Sequence, residues 1–157
     1  MTIQIVRAQE EHVTDLGNLW MEFMRHSQDI DPIFTPQDGA IPVFIREHLR
    51  PAMEAENSLV LVALDDEKVA GYSYSLIIGT SNLEARAKYG CIHDLFITAT
   101  YRRKGIGNRI VTEIMKWFHL NDIHRVELDV LVQNQIASSF WRKHGFEDFK
   151  HTLHRRI

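Results

Sequence analysis

Residues 91–107, CIHDLFITATYRRKGIG, constrain this chain more than any other stretch. Residues 91–97 are apolar and β-prone, interrupted by His93 and Asp94. Three consecutive cations follow, Arg102, Arg103 and Lys104, and then Gly105, Ile106 and Gly107. Beyond them Ile110, Val111, Ile114, Met115, Trp117 and Phe118 recur at helical spacing. A strand, a basic glycine loop and a helix start in immediate succession assemble an anion site. The first N–H groups of a helix have no intrahelical partner, and the helix dipole adds partial positive charge. Glycines let a phosphate come close to the backbone. For the glycines alone, a surface turn with solvated arginines is the plainer reading; the cations and the flanking elements favour the anion site.

Charge narrows the ligand. The formal net charge is −3, so the basic run is a local feature on a mildly acidic chain. That suits a small anionic ligand rather than nucleic acid. The 157 residues, 45% apolar and 25% charged, fit one globular domain spanning 1–157. The single cysteine, Cys91, excludes an intrachain disulfide and fits a reducing compartment. The start, MTIQIVRAQEE, has no signal-peptide pattern, and no apolar run approaches the ~20 residues of a membrane span. The expectation is a cytoplasmic protein with no membrane partner and no metal.

Periodicity gives the elements. Residues 3–7 alternate as a short strand. Residues 10–27 carry Val13, Leu16, Leu19, Trp20, Phe23 and Met24 on one helical face. The Pro-, Asp- and Gly-rich run 29–39 ends that helix. Residues 41–56 predict a second helix, which Pro51 kinks or shortens. Residues 58–64 (SLVLVAL) read as a central buried strand, and 69–78 return antiparallel after a polar turn. Gly71 marks a bulge or a close approach. Residues 80–88 are a polar loop. A helix runs to about Asn121, a strand covers 125–132, and a helix covers 134–143, stopped by Gly145. Residues 146–157 (FEDFKHTLHRRI) predict one last strand. The order β-α-α-β-β-β-α-β-α-β is α+β or mixed α/β, with parallel crossovers only in the second half.

Taken together, these residues resemble the GNAT superfamily of acetyl-CoA-dependent N-acetyltransferases. Arg102-Arg103-Lys104-Gly105-Ile106-Gly107 is similar to the family's Q/R-x-x-G-x-G/A pyrophosphate loop. The strand VELDV follows. Asn134-x-x-Ala137-x-x-Phe140-Trp141-x-x-x-Gly145-Phe146 resembles the family's N-x-x-A-x-x-[LF]-Y-x-x-x-G-F. The element order matches over nearly the whole chain. The resemblance implies a mixed sheet of about six or seven strands flanked by four helices. It implies acetyl-CoA as co-substrate, with backbone amides from about Arg103 to Asn108 cradling the pyrophosphate and Arg102, Arg103 and Lys104 adding charge. Strand 91–97 would splay from strand 125–132. Pantetheine would lie in the gap, bonded by main-chain groups near Phe96 and Ile97 as by a neighbouring strand. Asn134 would reach the pantetheine arm or the acetyl region. Its position equally suits a helix N-cap, and the two roles are compatible. Dimerisation through the last strands is common in similar proteins, so an open sheet edge at 146–157 would pair with a second copy.

The implied reaction is direct transfer of acetyl to a primary amine in a ternary complex. The amine attacks only when neutral, so a base must take a proton, directly or through water. Strand alternation places Cys91, His93, Leu95 and Ile97 on one face and Ile92, Asp94 and Phe96 on the other. Similar enzymes carry a catalytic carboxylate on the face that here carries His93. His93 is the first candidate base and Asp94 the second; each has a structural alternative, bonded across the sheet. Trp141, expected among the cofactor-binding residues, stands where similar enzymes have a tyrosine proposed to protonate the thiolate. Indole is no proton source at neutral pH, so no general-acid role is assigned to it. Ser138 and Ser139 are nearby hydroxyls that read as ordinary helix residues. Cys91 reads as a buried strand cysteine rather than an acyl acceptor. The acceptor would enter near 26–38, where Asp29, Asp31 and Asp38 attract a cationic amine or form a solvated loop, with 80–88 as the opposite wall. The alternative to an enzyme is a non-catalytic acyl-CoA-binding regulatory module. A nucleotide-phosphate binder of another fold is disfavoured, because the loop lacks a G-K-[ST] ending.

Overall fold

The protein is described from a computed structural model covering residues 1–79, 83 and 86–157. Its frame is a sheet in the order β1 (Ile3–Arg7), β2 (Ser58–Asp65), β3 (Lys68–Ile78), β4 (Tyr89–Ile97) and β5 (Val126–Glu127). Neighbours are antiparallel except β4 and β5. A parallel pair needs a crossover, and α4 (Ile106–Leu120) supplies it. α1 (Val13–Ile30) follows a 3-10 turn at Glu10–His12, and α5 (Gln135–Lys143) is the last helix.

Residues 40–54 are helical in three parts: α2 (Ala40–Phe44), a π-helical turn (Ile45–Leu49) and α3 (Arg50–Glu54). Pro51 accounts for the widened turn. It has no N–H for the carbonyl of Glu47, and its ring crowds that carbonyl. The helix therefore opens instead of stopping: the N–H of Arg50 bonds to the carbonyl of Ile45, five residues back.

The continuous apolar run of β2 is explained by cover on both faces. Leu59, Leu61 and Ala63 join Ile92, Ile110, Ile114 and Phe118 beneath α4. Val60, Val62, Tyr72 and Phe96 join Leu16, Leu19, Phe44 and Leu49 beneath α1 and the 40–54 helix. At Gly71 the chain bulges, since Ala63 faces Gly71 but Leu64 faces Val69. A β-carbon at Gly71 would also meet the carbonyl of Phe96 at 2.8 Å.

Three expectations change. The described residues form five strands, not six or seven. The strand expected over 125–132 is reduced to Val126–Glu127, because β4 leaves it: only Gly90 and Cys91 pair with β5. Residues 146–157 form no strand and are exposed from residue 147 onward. Their apolar residues, Phe146, Phe149, Leu153 and Ile157, fall three or four apart, so a strand there would lack the period-2 apolar face that secures register. The loop expected over 80–88 lies partly outside the described residues. Within it, Arg86 bonds to Glu127 and stacks on Tyr89, 3.7 Å from the ring centre.

Candidate active site

The basic loop leads straight into α4. Gly105, at φ +76°, is the N-cap, and Arg103 is also left-handed at φ +63°. Left-handed residues alternating with ordinary ones turn successive N–H groups toward one side, the concavity that receives anions. The N–H groups of Ile106, Gly107 and Asn108 add the unpaired donors of the first helical turn. Ile106, 2% exposed, anchors that turn in the core. Tyr101 ties the loop to the sheet. Its hydroxyl donates to Asp65 at 2.9 Å, and Lys68 and Lys104 lie over its ring at 5.5 and 5.3 Å. Arg102 turns back along β4. Its Nε donates to the carbonyl of Ile97 at 2.9 Å, and its guanidinium lies 5.3 Å from the Phe96 ring centre.

Next to the loop, one edge of β4 has no strand beside it beyond Cys91 among the described residues. The N–H of Thr98 bonds to the carbonyl of Ala70. An antiparallel ladder alternates, so the main-chain groups of Phe96 face Tyr72 of β3, while those of Leu95 and Ile97 point to the edge that β5 has left. Of the two strand positions expected to bond a ligand, Ile97 has its backbone on this edge, while Phe96 presents a buried ring among Phe23 and His26. The open edge shares no residue with the hollow of about 230 Å³ lined by Arg7, Glu10, Met53 and Glu54.

A β-bulge shapes the middle of β4. Tyr74 faces Asp94, but Ser75 faces Ile92, so His93 is the extra residue. The bulge overrides the simple alternation expected over 91–97. Ile92 packs beneath α4 with Leu95 and Ile97, while Asp94 turns toward Tyr72 on the opposite face. His93 and Asp94 are thereby brought together: His93 Nδ1 lies 3.2 Å from Asp94 Oδ1. The other carboxylate oxygen accepts from the hydroxyl of Tyr72 at 3.0 Å. The His93 side chain is 62% exposed and that of Asp94 10%. The bond to Asp94 raises the His93 pKa above its ordinary value; burial opposes this, and the charges of Asp94 and Asp129 add to it. Burial pushes the Cys91 thiol up, helped by Asp129, Glu127 and Asp94. A raised thiol pKa disfavours the thiolate that nucleophilic attack needs.

The model of the Acetyltransferase (GNAT) family matches residues 18–146. The chain belongs to the GNAT acetyltransferase family. An uncharacterized N-acetyltransferase of Methanocaldococcus jannaschii is 32% identical over 68 residues, covering 43% of this chain and 30% of that protein. Less than a third of that relative is therefore spanned. A tetramutant of a Bacillus halodurans protein superposes with a TM-score of 0.84 at 23% identity, over 100% of both chains. Aminoglycoside 6'-N-acetyltransferase AAC(6')-Ih from Acinetobacter baumannii superposes at 0.77 and 17% identity, over 99% of this chain and 98% of that one. These neighbours share the mixed α+β fold.

The second GNAT motif resolves into local structure. Asn134 is the N-cap of α5, its Oδ1 accepting from the N–H of Ala137 at 3.1 Å. The cap needs only that oxygen, so the Nδ2 hydrogens are not committed by it. At the other end Gly145 is left-handed at φ +85°; its N–H bonds to Arg142 and that of Phe146 to Trp141. This is a Schellman stop, completed by the edge-on contact of Phe146 with Trp141 at 5.3 Å. Trp141 is 9% exposed and belongs to the core beneath α4.

Of the two aspartates expected to meet an acceptor, Asp31 caps the 3-10 turn Pro32–Phe34 by accepting from the N–H of Ile33, and Asp29 is exposed at the end of α1. Three contacts here carried no sequence signal. Tyr72 reaches Asp94, Thr98 donates to Glu22 of α1 at 2.8 and 3.1 Å, and His144 meets Asn108 at 3.0 Å. Each joins residues 22 or more positions apart. Among the described residues no cluster of three His, Cys, Asp or Glu could hold a metal ion, and no helix is long and apolar enough to cross a membrane.

Proposed function

We propose that this GNAT protein transfers the acetyl group of acetyl-CoA directly to a primary amine of a small molecule or peptide, with residues 1–157 working as one cytoplasmic domain. The observation that carries the reading is the edge of β4 left open beyond Cys91, lying directly beside the left-handed loop at the start of α4. One thioester ligand has both chemistries: an anionic pyrophosphate for the loop, and an amide-bearing arm for the main-chain groups of Leu95 and Ile97. Acetyl-CoA supplies an activated acyl group. Arg103, Lys104 and the N–H groups of Ile106 to Asn108 hold the phosphates, and Asn134 borders the arm through Nδ2.

His93 takes the proton of the attacking amine. Asp94, when ionised, only accepts hydrogen bonds, so Nδ1 of neutral His93 keeps its hydrogen and Nε2 is the basic atom. A main-chain N–H on the open edge donates to the charge that develops on the acyl oxygen. With Trp141 lacking a phenol, water protonates the departing thiolate. Cationic amines, the class that includes the substrates named for the aminoglycoside acetyltransferase neighbours, suit Asp29 and Asp31 at the end of α1. The reading includes a homodimer paired along the outer edge of β5, since 146–157 supplies no covering strand; a monomer mass in solution removes that part.

The test is CoA release from acetyl-CoA with a panel of aminoglycosides, polyamines and peptides, alongside thermal shifts with acetyl-CoA, CoA and ATP. Acetylation of at least one amine is expected. A shift with ATP and none with acetyl-CoA sinks the proposal. The indole at position 141 favours a second reading, a non-catalytic acyl-CoA-binding module; binding without turnover on any amine would establish it.

A further inference from the structure

We propose that Tyr72 is a positioning residue for His93, acting through the carboxylate of Asp94. This rests on the reading of His93 as the base. Tyr72 sits on β3 opposite Phe96, one diagonal step from Asp94. Its ring is 1% exposed and part of the core under α1, so its hydroxyl has a fixed place. From there it donates to Asp94 Oδ2 at 3.0 Å, while Oδ1 faces His93 Nδ1 at 3.2 Å. One carboxylate is thus held at both oxygens, by a rigid donor below and an exposed imidazole above. The bulge makes this chain of three possible, because it sets neighbouring residues 93 and 94 where strict alternation would separate them.

The consequence concerns the imidazole more than the carboxylate. The Asp94 side chain is mostly buried, and each of its oxygens has a partner. Burial first, then the charge and the bond of Asp94, keep Tyr72 far above the ordinary phenol range, so it stays a donor. An Asp94 fixed in this way holds His93 in the Nδ1–H tautomer and leaves Nε2 bare on a side chain that is mostly exposed. The other groups that face His93 are Tyr74, whose ring centre is 5.3 Å away on β3, and Asp129 beyond β5; Cys91 shares the fields of Asp94 and Asp129. Without the Tyr72 hydroxyl, Oδ2 is buried with no donor, and the carboxylate swings toward water. The tautomers then mix.

The experiment is nitrogen-detected NMR of the histidine rings in the full chain, as wild type, Tyr72→Phe, Asp94→Asn and the double variant. Tyr72→Phe keeps the ring and hence the packing. Wild type is expected to show His93 as the Nδ1–H tautomer with a pKa above that of a free imidazole. Tyr72→Phe should mix the tautomers and lower the pKa; Asp94→Asn should lower it too. Adding Tyr72→Phe to Asp94→Asn should change nothing more, because Tyr72 acts only through Asp94. In turnover, Tyr72→Phe should cut kcat roughly 10- to 100-fold, the scale of a ~1 Å misplacement, with KM for acetyl-CoA unmoved. An unchanged or raised His93 pKa in Tyr72→Phe, or an equal effect in both backgrounds, overturns the proposal. His93→Ala with full activity would instead remove the base assignment, and the spectra would still decide whether Tyr72 positions the ring.

Discussion

A β-carbon on Gly107, in the first turn of α4, would sit 3.2 Å from the ring of Phe140 on α5. The loop motif and the α5 motif, 33 residues apart in sequence by this pair, therefore meet in one tight contact. Gly107→Ala tests it. Alanine gains about 1 kcal/mol of helix propensity over glycine. Pushing back the ring costs about 1–3 kcal/mol. The expected outcome is a net loss of about 1 kcal/mol in urea unfolding, together with weaker acetyl-CoA binding as the helix start shifts. Phe140→Leu in the same background should recover the stability. An unmoved unfolding midpoint in Gly107→Ala would show that the contact yields freely.

His93 gives opposite signs for activity and stability. As a base it works only when neutral, and its bond to Asp94 raises its pKa above the ordinary ~6.5. The acid limb of kcat/KM should therefore lie above pH ~6.5, with activity falling as pH drops through it. The stability contribution of the ion pair runs the other way. It is fully present below the unfolded pKa and is lost as pH rises through the folded one. His93→Ala should lower kcat about 100- to 10,000-fold and abolish that limb. A full rate with an unchanged profile would remove His93 from the chemistry.

What was legible in the sequence was local. The loop, the cap at Asn134 and the glycine stop at Gly145 are each written within a few residues, because helix ends are satisfied by neighbours in sequence. Periodicity located the helices and the two-sided burial of β2 for the same reason. The bulge at His93 carried no glycine or proline to announce it, so strict alternation assigned Ile92 and Asp94 to one face when they lie on opposite ones. The bond from Tyr72 to Asp94 crosses two strands and depends on that register, which no single stretch encodes. Residues 146–157, expected as a strand, lack the period-2 apolar face that would secure one.

The left-handed residues of the loop separate strain from charge. Gly105 at φ +76° would cost about 1–2 kcal/mol as alanine. Gly105→Ala should lower stability by that amount and weaken acetyl-CoA by displacing the first N–H groups of α4. Arg103 already bears this conformation with a side chain, at φ +63°. Arg103→Gly should therefore raise stability by up to about 1 kcal/mol, while acetyl-CoA binds more weakly and with a shallower salt dependence. Denaturant melts and calorimetric titration at two salt concentrations check both halves. Tighter binding in Arg103→Gly would show that this cation does not face the ligand.

Trp141 is a core residue by burial and by its contacts with Phe140 and Phe146. If water protonates the thiolate as proposed, Trp141→Phe should leave kcat within about twofold. Its cost should appear as about 1–2 kcal/mol of stability, less than the ~3–5 kcal/mol of truncating a large aromatic to alanine. A large fall in kcat at unchanged stability would mean that the indole N–H acts directly on the reacting group.

Thr98 directly follows β4, its hydroxyl donating to both oxygens of Glu22, so α1 is pinned at the point where the strand turns into the basic loop. Thr98→Val keeps the shape and removes the donor. A carboxylate deprived of its partner at a half-buried position costs about 1–3 kcal/mol, and Thr98→Ser should restore most of it. The functional effect should be selective. The loop is held independently through Tyr101 and Asp65, so acetyl-CoA affinity should not move. α1, whose end carries the proposed acceptor aspartates, loosens, and KM for the amine should rise several-fold. Kd for acetyl-CoA and KM for the amine, measured on the same preparation, distinguish this from general destabilisation, which would shift both.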